Sequence, residues 1–235
     1  MQLGCASTLD VRRGASSRTK LLAGLAIAGV GGYVAIDVLL AFLRPSYSLV
    51  HNAESDYGRG AWYWVMDLNF LLRCAFSVAL AVALSGVIRL DGRVRAGLAL
   101  LVMWAACSGL LAFFADDLEG QRQHGSGVVH LALAFVAFTA VAVGAVVLST
   151  ALAADTWGAV APVLRAIAIA GVVAYLLLGG ALRRHHAPVG VDERVFLGLE
   201  LAWIAVAAVA AIRGPRRESA QLARPGRQPR SHPAL

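Results

Sequence analysis

The chain has 235 residues, 59% of them hydrophobic and only 15% charged, with a net charge of +7 and a mean hydropathy of +0.69. A soluble domain is closer to half apolar and a quarter charged, so this balance excludes an ordinary soluble globular protein and points to a polytopic membrane protein. The positive charge lies mostly in tails and short loops, and no aromatic residue interleaves with the tail arginines, which speaks against nucleic acid as a partner.

Residues 1–20 read as a disordered, basic N-terminal tail carrying Arg12, Arg13, Arg18 and Lys20. The apolar run Leu21–Leu43 has transmembrane length and ends at Arg44-Pro45. A second run covers Ala61–Val87, and Trp62, Tyr63 and Trp64 at its start look like an interfacial aromatic belt. Further runs cover Ala96–Ala115, Val128–Ala153, Ala159–Leu182 and Val195–Ile212. Residues 213–235 combine six arginines with four prolines and read as a disordered basic C-terminal tail.

The expected fold is therefore all-α: a transmembrane domain over 21–212, with six helices in an up-and-down bundle. Fourteen of the 21 Lys and Arg residues fall on the side of the tails, and six on the other. The positive-inside rule then puts both termini in the cytoplasm. The Ala-, Gly- and Arg-rich usage is that of a GC-rich bacterial genome, which places the expected bundle in a plasma membrane. Cys5, Cys74 and Cys107 show no metal-binding spacing, and no phosphate-binding glycine loop occurs.

The polar residues within the runs gather on one side. Asp37 lies six residues before the outer end of the first helix, about 9 Å deep. Asp67 lies six residues into the second helix, and Asn69 and Arg73 share a face at a spacing of four. Asp116 and Asp117 close the third helix, His130 opens the fourth and Glu200 lies five residues into the sixth. The outer loops add His51, Glu54, Ser55, Asp56, Glu119, His124, His185, His186, Asp192 and Glu193. Intramembrane charges usually face a bundle interior or a wet cavity. Two readings follow. One is an outward-facing pocket lined by carboxylates and imidazoles. In the other, Asp37, Asp67, Arg73 and Glu200 pair with one another to lock the helices.

Three short patterns carry a resemblance: Ser55-Asp56-Tyr57-Gly58, Phe114-Ala115-Asp116-Asp117 and Gly127-Val128-Val129-His130. With Asn69 they resemble the prokaryotic membrane family known as domain of unknown function 998, over roughly residues 21–212. Ala115 departs from that family's usual proline. The resemblance implies a six-helix core and singles out Ser55, Asp56, Asp117 and His130. It implies no activity.

The first functional expectation is a bundle that binds a lipid or small molecule in a polar pocket at the outer face, with the bilayer as its partner. The alternative is a zinc-dependent hydrolase of a lipid-like amide or ester, with His130 and Asp117 as metal ligands and Asp56 as base or third ligand. Its constellation is similar to that of alkaline-ceramidase-like membrane hydrolases, although the sixth helix here lacks their histidines. A proton-coupled transporter using Asp37, Asp67, Arg73 and Glu200 ranks last, because no polar layer continues through the inner half.

Overall fold

The computed structural model describes residues 15–117, 125–153, 157, 160–184 and 186–214. All regular structure in these residues is helical. Six helices are long and apolar enough to cross a membrane: α1 Ser17–Leu43, α2 Tyr63–Ser85, α3 Gly92–Leu111, α4 Ser126–Ala153, α5 Ala161–Ala181 and α6 Val189–Arg213. A short 3-10 helix, Glu54–Gly58, lies between α1 and α2. Each long helix packs on its chain neighbours, α1 returns to α6, and α2 meets α6 across the bundle. The α1–α2, α3–α4 and α5–α6 connections share one end, called here the site end.

Helix limits follow capping chemistry more closely than hydropathy. α1 starts within the segment expected to be a tail, because Ser16 caps it by accepting from Thr19 N. The rest of that expected tail, residues 1–14, lies outside the described residues, as does 215–235. α3 likewise starts early, with Asp91 accepting from Val94 N at 2.8 Å. α3 also ends early, at Leu111, so Asp116 and Asp117 sit in the following turn rather than closing the helix.

The largest correction concerns α6. It begins at Val189, so Asp192, Glu193 and Arg194 belong to its first turns and not to a loop. The α1–α2 connection is clasped across this helix start. Arg194 donates to the Leu49 and Asn52 carbonyls at 3.3 and 3.1 Å, and Val191 N donates to Val50 O at 3.3 Å. Gly190 makes the close approach possible, since a Cβ there would collide with the carbonyl oxygens of Asn52 and Leu49.

Away from the site end α3 and α4 pack tightly, while a smaller cavity of about 340 Å³ lies between α5 and α6. Without a hydrophobic force between helices in lipid, association rests on close backbone approach and buried hydrogen bonds. At Gly97 an added Cβ would lie 2.6 Å from Leu148 Cγ, so α3 and α4 touch through the glycine. Trp104 donates to Ser77 at 3.0 Å and Trp203 donates to Ser149 at 2.8 Å, so these two buried indoles are satisfied, while the buried Trp157 Nε1 has no partner among the described residues. The outward faces carry exposed Leu, Val and Phe. Trp62, Tyr63 and Trp64 are about half exposed, as an interfacial belt requires.

Candidate functional site

At the site end the helices diverge around a cavity of about 630 Å³. Its walls are mainly apolar and come from α2, α4, α5 and α6, including Phe70, Ala134, Phe138, Leu178 and Leu197. Leu131 and Phe135 of α4 and Leu176 of α5 line it and are also 52%, 65% and 68% exposed. The cavity therefore communicates with the lipid-facing surface between α4 and α5. Farther along the same two helices, Thr139 and Tyr175 close the gap with a 2.8 Å hydroxyl–hydroxyl bond.

The polar groups lie at the opposite pole of this apolar slot: Glu54, Ser55, Arg73, Asp116, His130 and Glu193. His130 is 3% exposed at the start of α4. Its Nδ1 lies 2.7 Å from the Phe114 carbonyl, which takes the Nδ1 proton and fixes the ring. Its Nε2 is buried in the cavity wall without a hydrogen-bond partner among the described residues, and Asp116 Oδ2 is 3.9 Å away. Ser55 donates to that same oxygen at 3.4 Å, while Asp117 N holds Asp116 Oδ1 at 2.8 Å. The Phe70 and His130 rings meet in a T-shaped contact, 6.1 Å between centroids.

The second half of the polar pole is a chain of contacts around Tyr33. Arg73, 2% exposed, donates through Nε to Ser108 at 3.0 Å and through NH1 to the Tyr33 hydroxyl at 3.2 Å. The guanidinium also lies over the rings of Trp104 and Phe70. Tyr33 in turn donates to Glu54 Oε1 at 2.5 Å, and Glu54 N donates to Glu193 Oε2 at 2.7 Å. Burial pushes the Glu54 carboxyl from 4.5 up to about 8, helped by the nearby Asp37 and Glu193 carboxylates and opposed by Tyr33 and Arg73. At neutral pH Glu54 is mostly the uncharged acid.

The residues singled out in the sequence separate into groups. Ser55 and His130 line the cavity, and Arg73 joins them. Asp56 turns into its own loop, accepting from Asn52 Nδ2 at 3.3 Å. Asn69 locks α2 to α1 by donating to the Tyr33 carbonyl at 3.4 Å. Asp117 lies 3.9 Å from Arg59. Asp116, next in sequence to the expected residue, is the carboxylate that faces His130 Nε2.

The expectation that Asp37, Asp67, Arg73 and Glu200 pair with one another is overturned. Asp37 approaches Arg194 at 3.8 Å, and Arg73 donates to two hydroxyls and lies over aromatic rings. Asp67 is half-buried away from the cavity. Glu200 is buried against Gly171 of α5, and neither carboxyl oxygen has a partner among the described residues.

The alternative reading puts zinc on His130 and Asp117. Among the described residues no three His, Cys, Asp or Glu side chains converge as metal ligands, and His124 and His185 lie outside those residues. The described residues thus do not fit a zinc centre with three protein ligands.

Tyr33, Glu193, Thr139 and Tyr175 were missed in the sequence. Glu193 reads as part of a charged loop, and the three hydroxyl residues read as ordinary members of apolar runs. The resemblance motifs, in contrast, meet at one point: the first supplies Ser55, the second Phe114 and Asp116, and the third His130.

A family model described as Protein of unknown function (DUF998) matches residues 27–210. The chain belongs to this family. The matched segment runs from α1 to α6 and contains every residue that lines the cavity. No curated protein and no solved structure matches the chain. The family's description assigns no activity, and the six-helix membrane architecture rests on the fold itself.

Proposed function

We propose that the chain is a multi-pass protein of a bacterial plasma membrane that binds a lipid or lipid-like small molecule in the cavity at the site end. In this reading the site end faces outward and the two basic tails, 1–20 and 213–235, lie in the cytoplasm, in line with the Lys and Arg count. The observation that carries the reading is a single cavity feature: an apolar slot open to the lipid-facing side between α4 and α5 that ends at buried polar groups. Its volume of about 630 Å³ is that of a site for one small ligand. An amphiphile entering sideways would leave its tail in the slot and carry its head to His130 and Asp116.

The test is retention. Protein purified in a mild detergent should carry an amphiphile detectable by native mass spectrometry and by extraction. Gly180 lines the cavity, and a Cβ there meets nothing within 4 Å, so Gly180→Trp fills the space without a backbone collision. That variant should stay folded and lose the bound molecule. Equal retention by wild type and variant, or no binding by wild type of any added single-chain amphiphile, would sink the reading.

A further inference from the structure

Resting on that reading, we infer that the head group held by the cavity is a hydrogen-bond donor, a hydroxyl or an amine, and not a carboxylate or phosphate. Within the polar pole, the His130–Asp116 corner presents two acceptors. His130 has spent its Nδ1 proton on the Phe114 carbonyl, so the neutral ring presents the lone pair of Nε2. That nitrogen is buried and has no hydrogen-bond partner among the described residues, and an unsatisfied buried acceptor costs free energy until something donates to it.

Asp116 Oδ2 sits 3.9 Å from Nε2, too far for a direct hydrogen bond. One donor atom placed between them can reach both at ordinary hydrogen-bond lengths. An amine nitrogen has a hydrogen for each. A glycerol head has one hydroxyl for each. Ser55 already donates to Oδ2, which aims the carboxylate and adds no donor toward the gap.

The neighbouring groups bear on this choice. Glu193 brings a further carboxyl to the same pole, beside Glu54, which is mostly the uncharged acid at neutral pH and adds little negative charge. Arg73 is a buried cation of the same pole, held toward α1 and α3 by its Nε bond to Ser108 and its NH1 bond to Tyr33, with its face over Phe70 and Trp104, while His130 Nε2 and Asp116 Oδ2 are the two acceptors that face each other. Arg183 is exposed at the rim. An anionic head moved to His130 would meet Asp116 at contact distance and would leave Nε2 without a donor. A donor head satisfies both atoms.

The experiment compares four probes with the same tail: dodecylamine, monododecanoyl glycerol, dodecanoate and dodecyl phosphate. Each is titrated into the purified protein, and occupancy is read by native mass spectrometry. The amine, the glyceride or both should bind at least about tenfold tighter than the two acids, the value of one or two hydrogen bonds to a charged or buried acceptor. His130→Phe and Asp116→Ala should each bring the four probes to within about threefold of one another, with tail binding retained.

Equal binding of all four by wild type, or tighter binding of the acids, overturns the donor assignment and leaves the cavity reading standing. A preference that survives both substitutions also overturns it. Failure of all four to bind, or undiminished binding by Gly180→Trp, brings down the cavity reading and this inference with it.

Discussion

The two halves of the bundle solve one problem in opposite ways. Away from the site end, glycine-to-side-chain contacts bring α3 and α4 together at Gly97 and Leu148, and tryptophan–serine bonds close the interior. At the site end α2, α4, α5 and α6 surround a cavity whose lining includes Arg73, Glu54, Glu193, Asp116 and His130. Lipid tails are as apolar as leucine, so burial alone does not press helices together. The tight half supplies the packing that allows the other half to stay open. The open half is bound by a network whose members come from α1, α2, α3, α6 and the first connection, so it depends on long-range partners.

Four perturbations would break or sharpen this contrast. The largest effect is expected in the tight half. Gly97→Leu drives a side chain into Leu148, already in contact with the glycine, and should destabilise the fold by about 3 kcal/mol. A drop in the thermal midpoint reads it, and wild-type-like stability would mean that α3 and α4 separate at little cost. Gly180→Trp, of larger volume but in the open half, should leave the midpoint nearly unchanged.

Next comes Arg73→Ala in the open half. It removes the donor to Ser108 and Tyr33 and empties a fully buried site, and should cost about 2–4 kcal/mol. Tyr33→Phe in the Arg73→Ala background should then add less than it does alone, because both residues act in one network. Strict additivity in a double-mutant cycle would contradict the coupling.

A smaller effect follows from protonation. Closing the first connection over α6 raises the Glu54 carboxyl from 4.5 to about 8, so the closed loop binds a proton that the open, solvated loop releases. Closure is therefore fully supported below about pH 4.5, weakens as pH rises toward 8, and levels off above it. Hydrogen exchange in residues 48–60, corrected for the intrinsic rate, should show protection falling across that window. Glu54→Gln should flatten the profile, and an unchanged slope in the variant would assign the titration elsewhere. The smallest effect is expected for Asp67→Asn, which lies off the cavity and should change stability by less than about 0.5 kcal/mol and ligand retention not at all.

Much of this was readable along the chain. Hydropathy located six spans to within a few residues, and the crowding of polar residues toward one end marked where a site would lie. Ser55, Arg73 and His130 were named from depth and motif alone. The misses have physical causes. Asp192-Glu193-Arg194 reads as a loop because hydropathy counts each charge as solvated. In the fold, Glu193 and Arg194 instead meet Glu54 N, Asp37 and the carbonyls of the first connection, more than a hundred residues away. Tyr33 reads as one more apolar helix residue, and only its hydroxyl's meeting with Arg73 and Glu54 makes it a junction. Asp116 and Asp117 are equivalent in sequence. The early end of α3 at Leu111 and the turn after it decide which one faces the imidazole.

By itself the sequence determined the solvent in which this protein folds, the number of helices and the end of the bundle where polarity collects. Those properties depend on how many apolar residues stand in a row and on local charge, and every residue reports them independently. Tertiary structure alone decided which polar groups are partnered, which are left facing an empty space, and that the space opens sideways between α4 and α5. A hydrogen bond, an ion pair or a cavity is a relation between segments distant in the chain, and its energy exists only once the backbone has brought them together.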